Sequence, residues 1–97
     1  MMNIEINGTT AILSGRLDTS ASAQAQKDLA PLFEQADKAL VLDCNELQYI
    51  SSSGLRIFLM LRKEVAAKGG KVIIRGMSDD IRKVFMMTGF INLFTIE

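Results

Sequence analysis

Leu42-Asp43-Cys44-Asn45-Glu46-Leu47-Gln48-Tyr49-Ile50-Ser51-Ser52-Ser53-Gly54 decides how this chain is read. An apolar strand, Ala39 to Cys44, leads into three serines and a glycine, and a helix opens there, with Leu55 its first apolar residue. Hydroxyls at such a point meet the first helical N–H groups, which have no partner inside the helix, in a field that favours negative charge. A phosphate is well held in that setting. The plainer reading of the same residues is N-capping, for which serine is among the preferred types.

Upstream, Ile4-Glu5-Ile6 and Thr10-Ala11-Ile12-Leu13 flank Asn7-Gly8, a tight-turn pair, and predict an antiparallel hairpin. Asp18, Thr19 and Ser20 then offer N-caps for a helix lasting to about Asp37. At 3.6 residues per turn, Ala21, Ala25, Leu29, Leu32, Phe33 and Ala36 share one face of it. Pro31 removes one hydrogen bond on the polar side, so a single bent helix is expected. Ala39-Leu40-Val41-Leu42 is continuously apolar, which suggests a strand buried on both faces.

Downstream, the helix that starts near Ser53 runs to Lys68 and stops at Gly69-Gly70. Val72-Ile73-Ile74 is the next strand. Ser78, Asp79 and Asp80 open a further helix that Gly89 closes, and Leu93 to Ile96 gives a short last strand. Strands alternating with helices imply an α/β domain with parallel crossovers. If the second, third and fourth strands are parallel, Asp18, Ser51 to Gly54, and Gly76-Met77-Ser78 follow their carboxyl ends along one edge, where open α/β sheets bind partners.

Composition narrows the function. The chain has 97 residues, enough for one domain, and 48% hydrophobic with 23% charged residues is ordinary for a globular protein. Eleven basic residues balance eleven acidic ones, so the electrostatic footprint of a nucleic-acid binder is missing. Histidine is absent, which excludes Ser-His-Asp and Cys-His nucleophile pairs. Cys44 is the only cysteine, placed in an apolar strand and read as a buried free thiol. Lys68-Gly69-Gly70-Lys71 lacks the spacing of a phosphate loop and lies between helix and strand, the reverse order. Intrinsic catalysis, a bound cofactor and a metal site are therefore not expected. No signal-peptide pattern or membrane-length apolar run is seen, so a cytoplasmic location without membrane insertion is expected.

The serine segment resembles that of the STAS family, the bacterial anti-sigma factor antagonists, usually Asp-Ser-Ser-Gly or Asp-Ser-Thr-Gly followed by Leu. The resemblance extends along most of the chain. Ser14-Gly15-Arg16-Leu17-Asp18 is similar to the family's Gly-x-Leu-Asp. Lys68-Gly69-Gly70 before Val72-Ile73-Ile74, and Ile81-Arg82-Lys83-Val84-Phe85 with Thr88-Gly89-Phe90, match later parts. It implies a single STAS-like α/β domain over residues 1–97. The sheet would be mixed and mostly parallel, with four to five strands, an N-terminal hairpin and three main helices.

The same resemblance implies a binding protein switched by phosphorylation. The unphosphorylated form would bind an anti-sigma factor that is also a serine kinase, releasing the sigma factor. Phosphorylation would end binding, and a metal-dependent serine phosphatase would restore it, with ATP and metal belonging to those partners. Residue on residue, the phosphoacceptor is Ser52, and Ser51 stands where the family usually has Asp. The expected partner surface comprises Asp18, Ser51, Ser52, Ser53, Gly54, Arg56, Met60 and Met77. Several also have a structural reading: Asp18 as a cap, Ser53 and Gly54 as helix-start residues, Met60 as an ordinary exposed methionine on the polar side. Arg62 points toward the apolar side and must snorkel or pair. A STAS subunit of a transporter ATPase, and a small-anion sensor using the serine loop, are the alternative functions.

Overall fold

The computed structural model describes residues 2–97. Strands β1 (Met2–Asn7) and β2 (Thr10–Leu17) form the expected antiparallel hairpin, closed by pairing of Asn7 with Thr10. Gly8 has φ 64°, a left-handed conformation open to glycine at little cost, and makes the two-residue loop with Thr9. Then follow α1 (Ser22–Asp28), α2 (Ala30–Phe33), β3 (Ala39–Ile50), α3 (Ser52–Lys68), β4 (Lys71–Arg75) and α4 (Asp79–Thr88). A 3-10 turn, Phe90–Leu93, leads to β5 (Thr95–Ile96). The sheet order is β1-β2-β3-β4-β5, antiparallel at the first pair and parallel at the other three.

All the helices cover one face of this sheet. Leu13 and Leu17 of β2, Leu42 and Cys44 of β3, and Ile74 of β4 share one core with Phe58 and Leu61 of α3 and Phe85 of α4. Phe85 lies 6.0 Å from Phe58 and 5.9 Å from Phe94, ring centre to ring centre, which ties α3, α4 and the last strand together. Arg62 donates to the Leu93 carbonyl at 2.7 Å, so the arginine that faces inward is paired rather than only snorkelling. Burial of Cys44, with Asp43 adding a like charge, pushes its thiol up to about 12, and the thiol stays neutral.

Three expectations require correction. The segment from Asp18 to Asp37 is two short helices, not one bent helix. α1 ends at Asp28, and α2 restarts with Pro31 in its first turn, where the missing N–H costs nothing. The inward stripe survives the break: Ala25, Leu29, Leu32 and Ala36 are all buried. Second, β3 is not buried on both faces. Leu40, Leu42 and Cys44 are buried while the alternate residues Val41 and Asp43 are only half-buried. Third, β3 does not end near Cys44 but continues to Ile50, twelve residues in all.

That extension shapes the site. Beyond Asp43, which pairs with Arg75, β3 has no partner in β4 and is held by β2 alone. The β2–β3 ladder carries two register irregularities, and Gly15, with φ 90°, sits at the second. Glycine is the residue type suited to such a bulge.

Candidate functional site

The ladder ends with Leu17 paired to Ile50, and the Ser51 N–H donates to the Leu17 carbonyl at 2.8 Å. Asp18 and Ser51 therefore leave the sheet side by side. One residue earlier, the Arg16 guanidinium lies 4.4 Å above the Tyr49 ring across the same pair of strands. Such a contact contributes about 0.5–1 kcal/mol at an exposed site. It braces the strand ends directly below the serines, and no local sequence signal marks it because it depends on the bulged register.

Ser51 is the N-cap of α3. Its backbone is extended and its hydroxyl accepts from the Gly54 N–H at 3.1 Å. At 7% exposure it is the one buried polar residue of the described core. Ser52 is the first residue of the helix and is exposed, and Ser53 is half-buried. Of the three serines, only Ser52 is exposed. Gly54 is buried, and a Cβ there would lie 2.7 Å from Leu17 Cγ and 3.0 Å from Ile50 Cγ1. The close approach that a glycine allows at this position is thus used inside the molecule, where α3 presses on the ends of β2 and β3.

Asp18 caps the turn before α1 rather than α1 itself. Its carboxylate accepts from the Ser20 hydroxyl at 2.8 Å and the Ala21 N–H at 2.9 Å, while α1 has no side-chain cap. The Ser20 hydroxyl bond, then the Ala21 bond, hold its carboxyl below the usual carboxylate value. A lowered folded-state value means that this contribution to stability is present above the unfolded value and is lost as pH falls through the folded one. Asp18 remains half-exposed, so the same carboxylate is available at the surface.

The other nominated residues divide. Arg56 is exposed on α3 one turn from Ser52. Met60, 36% exposed, is two turns along and lines a separate groove with Phe33, Lys63 and Glu64. Met77 is not beside the serines by register: β4 ends level with Asp43, and Gly76 packs on Asn45. Asp43 and Ile50 are seven positions apart along β3, roughly 20 Å at the usual rise. The expected single edge is a stepped one. A groove not foreseen from the sequence opens beside Ser52, about 240 Å³, lined by Leu55, Arg56, Leu59, Thr88 and Phe90 as well as that serine. Thr88 and Phe90 reach it only because α4 packs against α3 in three dimensions.

Among the described residues no cluster of three or more potential metal ligands occurs, and no helix is long and apolar enough to cross a membrane.

The family model for the STAS domain matches residues 2–97. The chain belongs to the STAS domain family. Among curated relatives it is similar to BtrV of Bordetella bronchiseptica, named as an anti-sigma factor antagonist, at 30% identity over 86 residues, 89% of this chain and 74% of that one. It is 25% identical to the anti-sigma-B factor antagonist of Staphylococcus aureus, covering 99% of this chain and 94% of the relative. The unphosphorylated form of the anti-sigma factor antagonist SpoIIAA superposes with a TM-score of 0.76 at 22% identity, covering all of this chain and 88% of that one. The phosphorylated form of SpoIIAA, a Bacillus cell fate determinant, gives 0.69 at 23% identity, covering all of this chain and 91% of that one. At these identities the solved structures establish the STAS fold, with its mixed five-stranded sheet and N-terminal hairpin.

Proposed function

We propose that this STAS domain is an anti-sigma factor antagonist whose binding is switched by phosphorylation of Ser52. The observation that carries the reading is the first turn of α3. Ser52 is exposed there, and its neighbour Ser51 is occupied as the cap. No acidic residue lies in that turn. The relatives' names support the antagonist role, and the existence of SpoIIAA in two phosphorylation forms supports a switch of this kind.

In this reading the unphosphorylated chain binds an anti-sigma factor that is a serine kinase and frees the sigma factor. The kinase transfers phosphate from ATP to Ser52, and a metal-dependent serine phosphatase removes it. The chain itself works as a binding protein and not as an enzyme. A phosphate carries about −1.5 to −2 charges, so one modification outweighs the chain's formal net charge of zero. At a helix N-terminus it is favoured by about 0.3–1 kcal/mol, which leaves the fold intact. In a fitted interface, like-charge contact and desolvation cost several kcal/mol, which separates the complex.

Incubation with the anti-sigma factor kinase and ATP, followed by phosphosite mapping, tests the assignment. Phosphate is expected on Ser52, and Ser52→Ala should stay bound to the kinase with ATP present. Modification confined to Ser51 or Ser53 would overturn it. Recovery of a transporter ATPase, with no phosphorylation, would favour the accessory-subunit function instead.

A further inference from the structure

Three grooves border α3: one, about 290 Å³, lies beside β4 and the 3-10 turn with Arg62 and Lys71 in its lining, and the other two differ in charge. The larger, about 490 Å³, lies between the α1–α2 region and α3 and carries both Lys63 and Glu64, so it selects no sign of partner. The smaller, between the start of α3 and the end of α4, is floored by Leu55, Leu59 and Phe90, and Arg56 is its only charged lining residue. Arg56 is exposed and takes part in neither of the two ion pairs found among the described residues, Glu64–Lys68 and Arg75–Glu97.

The adjoining end of α4 reinforces this. Met86 and Met87 are 60% and 87% exposed, the most exposed large apolar side chains described. Each stands one turn beyond a cation, Arg82 and Lys83, that is likewise exposed and outside those ion pairs. The acidic residues of α4, Asp79 and Asp80, are in its first turn, about two turns or roughly 12 Å from Met87. From α4 only Thr88 lines the groove, and Met87, next to it in sequence, lies exposed at the same helix end. Flexible methionines at a surface suit a reversible protein contact.

We infer that this groove receives an acidic segment of the anti-sigma factor that ends in an apolar anchor, with Arg56 holding its carboxylate and Met87 covering the anchor. The inference rests on the antagonist function proposed above and names the part of the partner that the site recognises. It also supplies the switch with a specific residue. Ser52 and Arg56 are separated by one helical turn, the spacing at which side chains on a helix meet. A phosphate on Ser52 takes Arg56 for itself and places its own charge against the incoming carboxylate.

Titration calorimetry with the purified anti-sigma factor kinase, without ATP, tests this on the full chain. Arg56→Glu is expected to weaken binding by about 100-fold or more, and Arg56→Lys by less than about 10-fold. Met87→Glu, at a side chain that is almost wholly in solvent, should cost about 10-fold without affecting folding. Lys63→Glu, in the larger groove, should bind as wild type does. An acid-to-arginine change in the partner that restores binding to Arg56→Glu would identify the carboxylate. Equal binding by wild type, Arg56→Glu and Met87→Glu would overturn the groove while leaving the antagonist function standing. Failure of wild type itself to bind the kinase would remove both.

Discussion

Helices α3 and α4 each follow a strand, each take a serine as N-cap, and each end on a left-handed glycine, Gly69 with φ 87° and Gly89 with φ 76°. Ser51 accepts from the Gly54 N–H at 3.1 Å, and Ser78 accepts from the Ile81 N–H at 3.3 Å. Beyond the caps the two starts diverge. The first turn of α4 contains Asp79 and Asp80, whereas that of α3 contains no acid. Ser51 is buried under the strand ends, and Ser78 is exposed. The same local chemistry therefore leaves one helix already neutralised at its positive end and the other open to an added anion. What distinguishes the two helix starts is the residues next to the capping serine, not the serine, and it is on this difference that the proposal of Ser52 as phosphoacceptor rests.

The third residue of each helix gives the largest test. Ile81 is fully buried and fills the core, so Ile81→Ala should lower unfolding free energy by about 2–5 kcal/mol. Gly54 occupies the matching place in α3, where there is no room for even a methyl group. Gly54→Ala should cost about 1–3 kcal/mol through displacement of Leu17, despite alanine's better helix propensity. Denaturant titration of both variants measures this; a stabilised Gly54→Ala would mean that α3 is not pressed onto the strand ends.

The caps come next. Ser51→Ala leaves the Gly54 N–H unpaired in a buried place and should cost about 1–2 kcal/mol. Ser78→Ala exposes its helix start to water and should cost about 0.5–1 kcal/mol. Equal losses would show that burial of the first cap has no energetic consequence.

These differences also mark what was legible in the sequence. The hairpin and both long helices were readable, because Asn7-Gly8, the serines and the terminal glycines act locally, although α3 starts at Ser52 on a Ser51 cap rather than near Ser53. The length of β3 was hidden. Its burial alternates through Cys44, then recurs every third residue at Leu47 and Ile50, because the ladder with β2 is bulged. No period-two pattern exists there to be read. Pro31 was recognised as a disturbance, but its effect was to divide the helix. At the site, Asp18 and the serines were correctly placed beside each other. The groove with Thr88 and Phe90, the exposed Met86 and Met87, and the Arg16–Tyr49 contact were missed, since each depends on packing between distant segments.

The smallest effect is the most specific to the comparison. Ser52→Asp adds an acid to the vacant first turn of α3 and should stabilise the fold by about 0.3–1 kcal/mol. Asp79→Asn removes one from α4 and should destabilise by a similar amount. Thermal melts at low salt should move in opposite directions, and both shifts should shrink as salt is added. A destabilised Ser52→Asp protein would contradict the claim that this helix start tolerates negative charge.

The proposed switch is that charge at Ser52 changes recognition without changing the fold. Its direct test is the affinity of the purified anti-sigma factor kinase for this chain before and after stoichiometric phosphorylation of Ser52. A loss of about 100-fold or more in affinity is expected on phosphorylation. Unchanged affinity in the fully phosphorylated protein would contradict it.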